Sequence, residues 1–213
     1  MKHKKFPKIP EATIKRLSIY NRILNELNRD GIEVVSSARL SEISGLNAAQ
    51  IRKDLTYFGE FGVRGVGYFV THLRDNIKRI LGINKQWNLI IIGVGKLGQA
   101  IISYGNLKAQ GYNIVAAFDN DPSKIGTKIG PFNTPVYPMS KLAEIVNQHS
   151  VKIAILTTPA SSAQEVMKSL DESNIEGIIN FAPVKLKSSK NIKISYVDLV
   201  TEFDKMAFKI SSD

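Results

Sequence analysis

Cysteine is absent from this chain of 213 residues. That absence excludes disulfide bonds, thiolate metal sites and a thiol nucleophile, and it fits a reducing compartment. No apolar run approaches the roughly 20 residues that a membrane-spanning helix needs, and the basic N-terminus lacks the apolar segment of a signal peptide. We therefore expect a soluble, cytoplasmic protein with no membrane partner.

Acidic residues are outnumbered almost two to one by basic residues in the N-terminal part of the chain. Residues 1–83 contain 15 Lys and Arg against 8 Asp and Glu, a net charge of +7, whereas residues 84–213 carry a net charge of +3. Basic charge concentrated on the shorter part favours a polyanionic partner. Charge alone leaves a solvated, lysine-rich surface as the alternative.

A glycine-rich turn follows the apolar run at residues 89–92. Its pattern predicts a buried parallel strand, a tight turn at Gly93, a close approach of pyrophosphate to Gly95, and close helix packing at Gly98. The helix N-terminus would offer free N–H groups to the phosphates. We expect this turn to bind the cofactor through Gly93, Gly95, Lys96, Leu97 and Gly98.

A second apolar run, at residues 114–118, ends at Asp119, 21 residues beyond Gly98. An acid at this position receives the adenosine ribose hydroxyls in dinucleotide-binding folds, and it repels the 2′-phosphate of NADP(H). The alternative is a glycine turn in a doubly wound sheet that binds nothing.

Strand and helix patterns alternate through the second half of the chain, which predicts a Rossmann-type α/β domain. An excursion without regular pattern covers residues 126–138. Strands are expected near 88–93, 113–118, 151–156, 177–182 and 193–197, and helices near 96–110, 140–148 and 162–174.

Two loops follow predicted strands at the edge of the sheet where ligands bind in such folds. They would wall the nicotinamide half of a dinucleotide, although ordinary strand-to-helix turns have the same composition. The candidate residues are Thr158, Pro159, Ala160, Asn180, Phe181, Ala182 and Pro183.

The N-terminal part predicts a helix-turn-helix. A basic arm at residues 2–9 precedes a helix that begins near Glu11, and a short helix capped by Ser36 or Ser37 ends at Gly45. Asn47 caps the next helix, with a capping-box partner at Gln50. The second short helix would be the recognition helix, with an outward face formed by Gln50, Arg52, Lys53, Thr56 and Tyr57. An ordinary helical hairpin is the alternative.

Alternating glycines and β-forming residues between residues 58 and 70 predict a small hairpin, or wing, with Arg64 near its tip. There Arg64 would contact phosphate or enter a minor groove, or it is a plain turn residue. A helix at residues 71–83 then leads to the second domain. The chain closes on an apolar stretch at residues 198–209, which must pack on its own domain, the other domain or a second subunit.

At this point the chain resembles the Rex family of redox-sensing transcriptional repressors. The resemblance covers nearly the whole chain: residues 50–62 and 64–68 match the family's recognition helix and wing, and the motifs at 93–98, 180–183 and 196–198 follow in the family order. It implies an α/β homodimer with a winged-helix domain at residues 1–83, a Rossmann NAD(H)-binding domain at 84–198 and a dimerisation helix, swapped between subunits, at 199–213.

The resemblance also implies a function. The family binds pseudopalindromic DNA operators; NADH releases it, whereas NAD⁺ competes and permits binding. Asp54 joins the DNA-binding candidates through the matched recognition helix.

Three residues match a family switch. Tyr104, on the helix after the glycine turn, matches a tyrosine near the nicotinamide. Asp198 matches an acid that pairs with this tyrosine or, in the other state, with an arginine matched by Arg22. From the residues alone, Tyr104 is equally a half-buried helix residue and Asp198 a helix cap. Leu199 stands where some members have Phe, which puts the nicotinamide contacts there in question.

These observations predict a sensor that binds NADH or NAD⁺ and consumes neither. The competing hypothesis is an NAD-dependent oxidoreductase with an accessory N-terminal domain. Against it, the chain has only His3, His72 and His149, none at a predicted strand end facing the cofactor loops, and no length remains for a substrate domain. A third hypothesis is a nucleotide-binding module whose helix-turn-helix docks protein instead of DNA.

Overall fold

The computed structural model describes residues 9–212. The predicted basic arm at residues 2–9 therefore lies outside the described residues, apart from Ile9. The chain divides into two compact units, Met1–Lys85 and Gln86–Asp213.

Over residues 9–85, the N-terminal unit packs four helices against a small antiparallel sheet with strand order β1-β3-β2. Apolar side chains at helical spacing on the first helix, among them Leu17 and Leu24, are fully buried in its core. The elements are α1 (Glu11–Arg29), β1 (Val34–Val35), α2 (Ser37–Ser44), α3 (Ala48–Thr56), β2 (Gly62–Val63), β3 (Gly67–Phe69) and α4 (Val70–Leu81).

The helix-turn-helix prediction is confirmed, and local signals set its boundaries. The Ser36 hydroxyl accepts a hydrogen bond from the Arg39 amide at the start of α2, and Gly45 ends that helix in the left-handed conformation with φ of 69°. Asn47 caps α3 by accepting from the Ala49 amide. The capping-box prediction is wrong, because the Gln50 side chain instead donates to Asp54 one turn further on.

The predicted wing is present as the hairpin of β2 and β3. Gly62 pairs with Tyr68 and Val63 with Gly67. The turn is closed by a hydrogen bond of 3.0 Å from the Val66 amide to the Val63 carbonyl oxygen.

The C-terminal unit is a Rossmann-type sheet of order β10-β9-β8-β4-β5-β7-β6, parallel throughout except for the pair β6–β7. After β4 the chain moves to one side to form β5 and later returns to the other side to form β8, so β4 marks the switch point where ligands bind. The elements are β4 (Trp87–Ile92), α5 (Lys96–Ile102), α6 (Asn106–Ala109), β5 (Tyr112–Phe118), β6 (Lys128–Ile129), β7 (Thr134–Tyr137), α7 (Leu142–Gln148), β8 (Ile153–Leu156), α8 (Ala160–Asp171), β9 (Gly177–Asn180), β10 (Lys193–Tyr196) and α9 (Leu199–Ser211).

Two predictions about this unit need correction. The excursion at residues 126–138 is not irregular, because β7 pairs in parallel with β5 and β6 closes the sheet edge as a hairpin strand. The helix predicted at 96–110 breaks after Ile102 and resumes at Asn106. Tyr104 therefore lies in the break, 58 % exposed, and not on the helix.

The last helix, α9, presents its apolar side chains to solvent in the single chain. Asp198 caps it by accepting a hydrogen bond of 2.9 Å from the Val200 amide. None of its described residues is buried, and Phe203 is 73 % exposed. Between residues 9 and 212, no helix is both long and apolar enough to cross a membrane.

Candidate functional site

The glycine turn between β4 and α5 brings strand and helix unusually close. A Cβ on Gly98 would overlap the Gly93 carbonyl oxygen, and one on Gly93 would lie 2.9 Å from the Thr157 carbonyl. Gly93 also has a φ of 97°, which favours glycine. A Cβ on Gly95 would meet no atom within 4 Å, so this glycine faces open space. Gly93 and Gly98 thus serve packing, and Gly95 leaves room for a ligand.

Asp119, at the end of β5, ties the adjoining loops together. Its Oδ2 accepts hydrogen bonds from the Val94 amide at 2.7 Å and from Lys124 Nζ at 3.2 Å, and its Oδ1 accepts from the Asp121 amide at 2.9 Å. Burial by itself raises the pKa of Asp119, but these hydrogen bonds outweigh it and hold the pKa below the usual value. The carboxylate is therefore ionised at neutral pH beside the glycine turn.

A cavity of about 590 Å³ opens at the carboxyl ends of the central strands. Its volume suits a ligand of cofactor size. From the predicted cofactor residues, the structure brings together in its lining Gly93, Gly95, Leu97, Asp119, Thr158, Pro159 and Phe181. The prediction missed other lining residues, including Asn120, Lys124, Met139, Ser162 and Val166. Asn120 and Met139 lie just beyond strand ends, whereas Ser162 and Val166 lie on α8 and have no such signal in the sequence.

The Thr158 hydroxyl is the lining group that most clearly calls for a ligand. Its oxygen is buried and has no hydrogen-bond partner within the described residues. Buried hydroxyls are normally paired. A polar group of a bound molecule in the cavity would supply the missing partner.

Other predicted cofactor residues do not line this cavity. Lys96, Ala160 and Pro183 are exposed outside it. Asn180 is 1 % exposed, and its amide nitrogen donates to the carbonyl oxygens of Ala182 and Val184, both at 3.0 Å. The side chains of Asn180 and the buried Ala182 therefore shape the loop, and a contact of either residue with the cofactor stays a prediction.

Tyr104 and Phe181 line a second cavity of about 370 Å³ with apolar walls. Phe181 is shared with the first cavity, so the two adjoin at this ring. Gly98 lines neither cavity.

The recognition helix presents a basic and polar surface. Arg52, Lys53 and Thr56 are exposed on α3, Tyr57 is exposed directly after it, and Arg64 is exposed at the tip of the wing. Arg52 is oriented by a hydrogen bond of 2.9 Å from its Nη1 to the hydroxyl oxygen of Ser37. Such groups can contact phosphates and base edges.

Asp54 does not belong to this surface, and its prediction as a DNA contact is wrong. It is 0 % exposed. Its carboxylate accepts hydrogen bonds from Arg16, Tyr20 and Gln50 instead. A carboxylate facing the phosphate backbone would be repelled, whereas here it is neutralised by an α1 arginine.

The two charged residues of the predicted switch, Arg22 and Asp198, lie in different units. Arg22 is exposed on α1, and Asp198 is exposed at the start of α9. The Asp198 carboxylate is used as a helix cap, which was the alternative interpretation of this residue. Over residues 9–212 there is no group of three His, Cys, Asp or Glu side chains able to hold a metal ion.

Comparison with known proteins matches both halves of the chain. Residues 8–56 match the family model described as a putative DNA-binding protein N-terminus, and residues 84–184 match the CoA binding domain model. The redox-sensing transcriptional repressor Rex of Syntrophobacter fumaroxidans is 48% identical over 97% of this chain and 98% of its own length. Rex 1 of Thermotoga maritima is 45% identical over 95% of this chain and 96% of its own length.

Solved structures agree with these relatives. RSP in complex with beta-NAD+ and operator DNA matches with a TM-score of 0.89 at 35% identity, covering 97% of this chain and 94% of that chain. RSP in complex with beta-NADH matches with a TM-score of 0.84 at 33% identity, covering 97% and 96%. RSP alone is described as a Rex-family repressor.

Proposed function

This chain belongs to the Rex family of redox-sensing transcriptional repressors, and we propose that it represses transcription from a DNA operator under the control of the NADH/NAD⁺ ratio. It is a DNA-binding regulator and not an enzyme. The observation that carries the proposal is the presence, in one chain, of a basic recognition helix and a cofactor-sized cavity bordered by Gly95 and Asp119.

The cavity supports a specific placement of NAD(H). The pyrophosphate lies over Gly95, where no Cβ obstructs it, and the adenosine ribose hydroxyls lie against Asp119. The ionised Asp119 repels the 2′-phosphate of NADP(H), so the site prefers NADH and NAD⁺. The nicotinamide half extends toward Thr158 and Pro159, whose loop follows β8, and toward Phe181.

DNA binding belongs to the N-terminal unit. Arg52, Lys53 and Thr56 on α3 and Tyr57 at its end face the major groove, and Arg64 on the wing contacts phosphate or the minor groove. A homodimer would place two recognition helices about 34 Å apart on a pseudopalindromic operator. The exposed apolar face of α9 supports dimerisation through a helix that is exchanged between subunits. We place this repressor in the cytoplasm.

Switching requires that NADH and NAD⁺ bind two dimer geometries with different affinities. Reduced nicotinamide is neutral and oxidised nicotinamide is cationic, so local charge can discriminate them. We propose that Tyr104, Asp198 and Arg22 form the relay, with Asp198 pairing with Tyr104 in one state and with Arg22 in the other. A near-complete release of DNA needs a differential affinity on the order of 5 kcal/mol.

The test is an operator-binding measurement by fluorescence anisotropy at fixed salt, with a duplex selected from random sequences. We expect specific binding that NADH abolishes, that NAD⁺ preserves and that low NADPH leaves unchanged. Arg22→Ala should bind NADH normally yet respond less to it, with exposed Arg29→Ala as the matched control. Specific DNA binding indifferent to NADH would refute the sensor, and wild-type release by NADH in Arg22→Ala would refute the relay.

A further inference from the structure

A buried carboxylate joins the first helix of the N-terminal unit to the recognition helix. Asp54 of α3 accepts hydrogen bonds from Arg16 Nε at 2.5 Å, Arg16 Nη2 at 2.7 Å and the Tyr20 hydroxyl at 2.8 Å. The Thr13 hydroxyl donates to the same carboxylate at 3.3 Å. All three donor residues lie on α1. The cluster therefore fixes the position of α3 relative to α1 by a charged, directional contact in addition to apolar packing.

The last hydrogen bond of this cluster comes from the recognition helix itself. Gln50, one turn before Asp54, donates from Nε2 to Oδ1 at 2.8 Å. Burial alone raises the pKa of Asp54, but the hydrogen bonds from Arg16, Tyr20 and Gln50 hold it below its usual value. An ionised carboxylate only accepts hydrogen bonds. The Gln50 amide must consequently turn its NH₂ group, and not its carbonyl oxygen, toward Asp54.

This orientation determines what Gln50 can offer to DNA. Gln50 is half-buried and is the third residue of α3, in the N-terminal part of a recognition helix that contacts base edges. Its carbonyl oxygen accepts one hydrogen bond and its second amide hydrogen donates another. Adenine presents the complementary pair in the major groove, the N6 amino group and the N7 acceptor. Guanine presents two acceptors there, so its O6 would face the Gln50 carbonyl oxygen.

We propose that Asp54 is a positioning residue for operator recognition: it holds α3 on α1 and orients the Gln50 amide so that Gln50 reads an adenine in each half-site. The inference rests on the proposed function, because it assumes a specific operator. It assigns to Asp54 an indirect role in specificity, through Gln50, in place of a contact with DNA.

The experiment replaces each adenine of a selected operator, one at a time, by 2-aminopurine. This base still pairs with thymine but lacks the N6 amino group. The substitution removes one of the two hydrogen bonds and leaves the Gln50 carbonyl oxygen unpaired, which costs about 1–3 kcal/mol, or at least about fivefold in affinity. Wild type should therefore show one adenine per half-site at which substitution weakens binding about fivefold or more, and Gln50→Ala should lose that sensitivity.

Asp54→Asn tests the positioning step. Oδ2 accepts from Arg16 Nε and the Tyr20 hydroxyl, and Oδ1 accepts from Gln50, Arg16 Nη2 and the Thr13 hydroxyl. An asparagine amide has one acceptor oxygen in place of two, so it cannot accept from both Arg16 nitrogens, and Gln50 no longer faces a group that only accepts. With both constraints removed, the 2-aminopurine penalty should fall toward that of Gln50→Ala.

Asp75→Asn on α4, an exposed carboxylate paired with Arg74, is the matched control and should keep the wild-type profile. If Asp54→Asn does not fold, Arg16→Gln with Asp54→Asn removes both charges of the ion pair and should show the same loss.

A wild-type 2-aminopurine profile in the folded Asp54 variant would overturn the proposal, as would a Gln50→Ala profile equal to wild type. Neither result touches the proposed function, which is judged separately by operator binding of wild type and its release by NADH. Loss of the adenine preference with unchanged NADH affinity supports the proposal. General destabilisation of the variant would instead weaken its binding to every duplex alike.

Discussion

Replacing Gly95 by alanine should separate ligand binding from stability in the C-terminal unit. The backbone at Gly95 has φ of −79° and ψ of −172°, which alanine adopts without strain, and its Cβ would meet no protein atom within 4 Å. Gly→Ala at a compatible position changes the free energy of unfolding by about 0.4–1 kcal/mol in favour of the folded state. Gly95→Ala should therefore be as stable as wild type or slightly more so.

The methyl group that Gly95→Ala introduces points into the space proposed for the pyrophosphate. If it displaces one charge-assisted hydrogen bond, the loss is about 1.5–3 kcal/mol, or tenfold and more in NADH affinity. NADH binding by fluorescence titration and unfolding by urea measure the two effects in parallel. Wild-type NADH affinity in Gly95→Ala would refute this placement of the cofactor.

Two neighbouring glycines serve as controls. Gly98→Ala places its Cβ on the Gly93 carbonyl oxygen, so helix and strand must move apart, and overpacking of this kind costs about 1–3 kcal/mol of stability. Gly105 has helical φ and ψ and open space around its Cβ. Gly105→Ala should likewise be as stable as wild type or slightly more so, and it should leave NADH binding unchanged. Equal stability of Gly98→Ala and wild type would contradict the close packing described above.

Three further predictions concern the N-terminal unit and the last helix. Lys53→Ala should weaken binding to all duplexes and lower the slope of log affinity against log salt by about one; an unchanged slope excludes a phosphate contact. Phe203→Asp should dissociate the dimer in sedimentation experiments, and an intact dimer would remove α9 from the interface. The contribution of Asp54 to the free energy of unfolding should be fully present above its unfolded-state pKa of about 3.9 and be lost as the pH falls through its lower folded-state pKa. Urea unfolding of wild type and Asp54→Asn should thus differ by about 3–5 kcal/mol at neutral pH and converge in acid; a constant difference contradicts the assignment.

Much of the fold was predictable because its signals are local. The caps at Ser36 and Asn47 and the left-handed glycine at Gly45 act within a few residues, so the sequence alone placed the helix-turn-helix. The apolar run before Gly93 likewise predicted a buried strand and its turn. Short pairings at the sheet edge were missed, since β6 and β7 are brief and gain their order from β5, which is distant in sequence.

The residues of the cofactor site were likewise predictable only where a local signal indicated them. Position alone indicated Gly95 and Asp119, because both follow strands whose ends must meet at one edge of a parallel sheet. Lys124, in the loop after β5, and Ser162, in the first turn of α8, were missed, because nothing in their local sequence shows that their side chains face the cavity. Asn180 was assigned to the cofactor, whereas its amide is used within its own loop.

The sequence by itself determined the two domain types, the glycine turn and its acid, and the basic character of the recognition helix. Only the tertiary structure decided the role of Asp54, because its partners Arg16 and Tyr20 lie 38 and 34 residues earlier in the chain. Helical spacing puts Gln50 and Asp54 on the same side of α3, but it does not say what packs there. A charged residue turns inward only when a distant cation and hydroxyl meet it, and that meeting exists only in the folded chain.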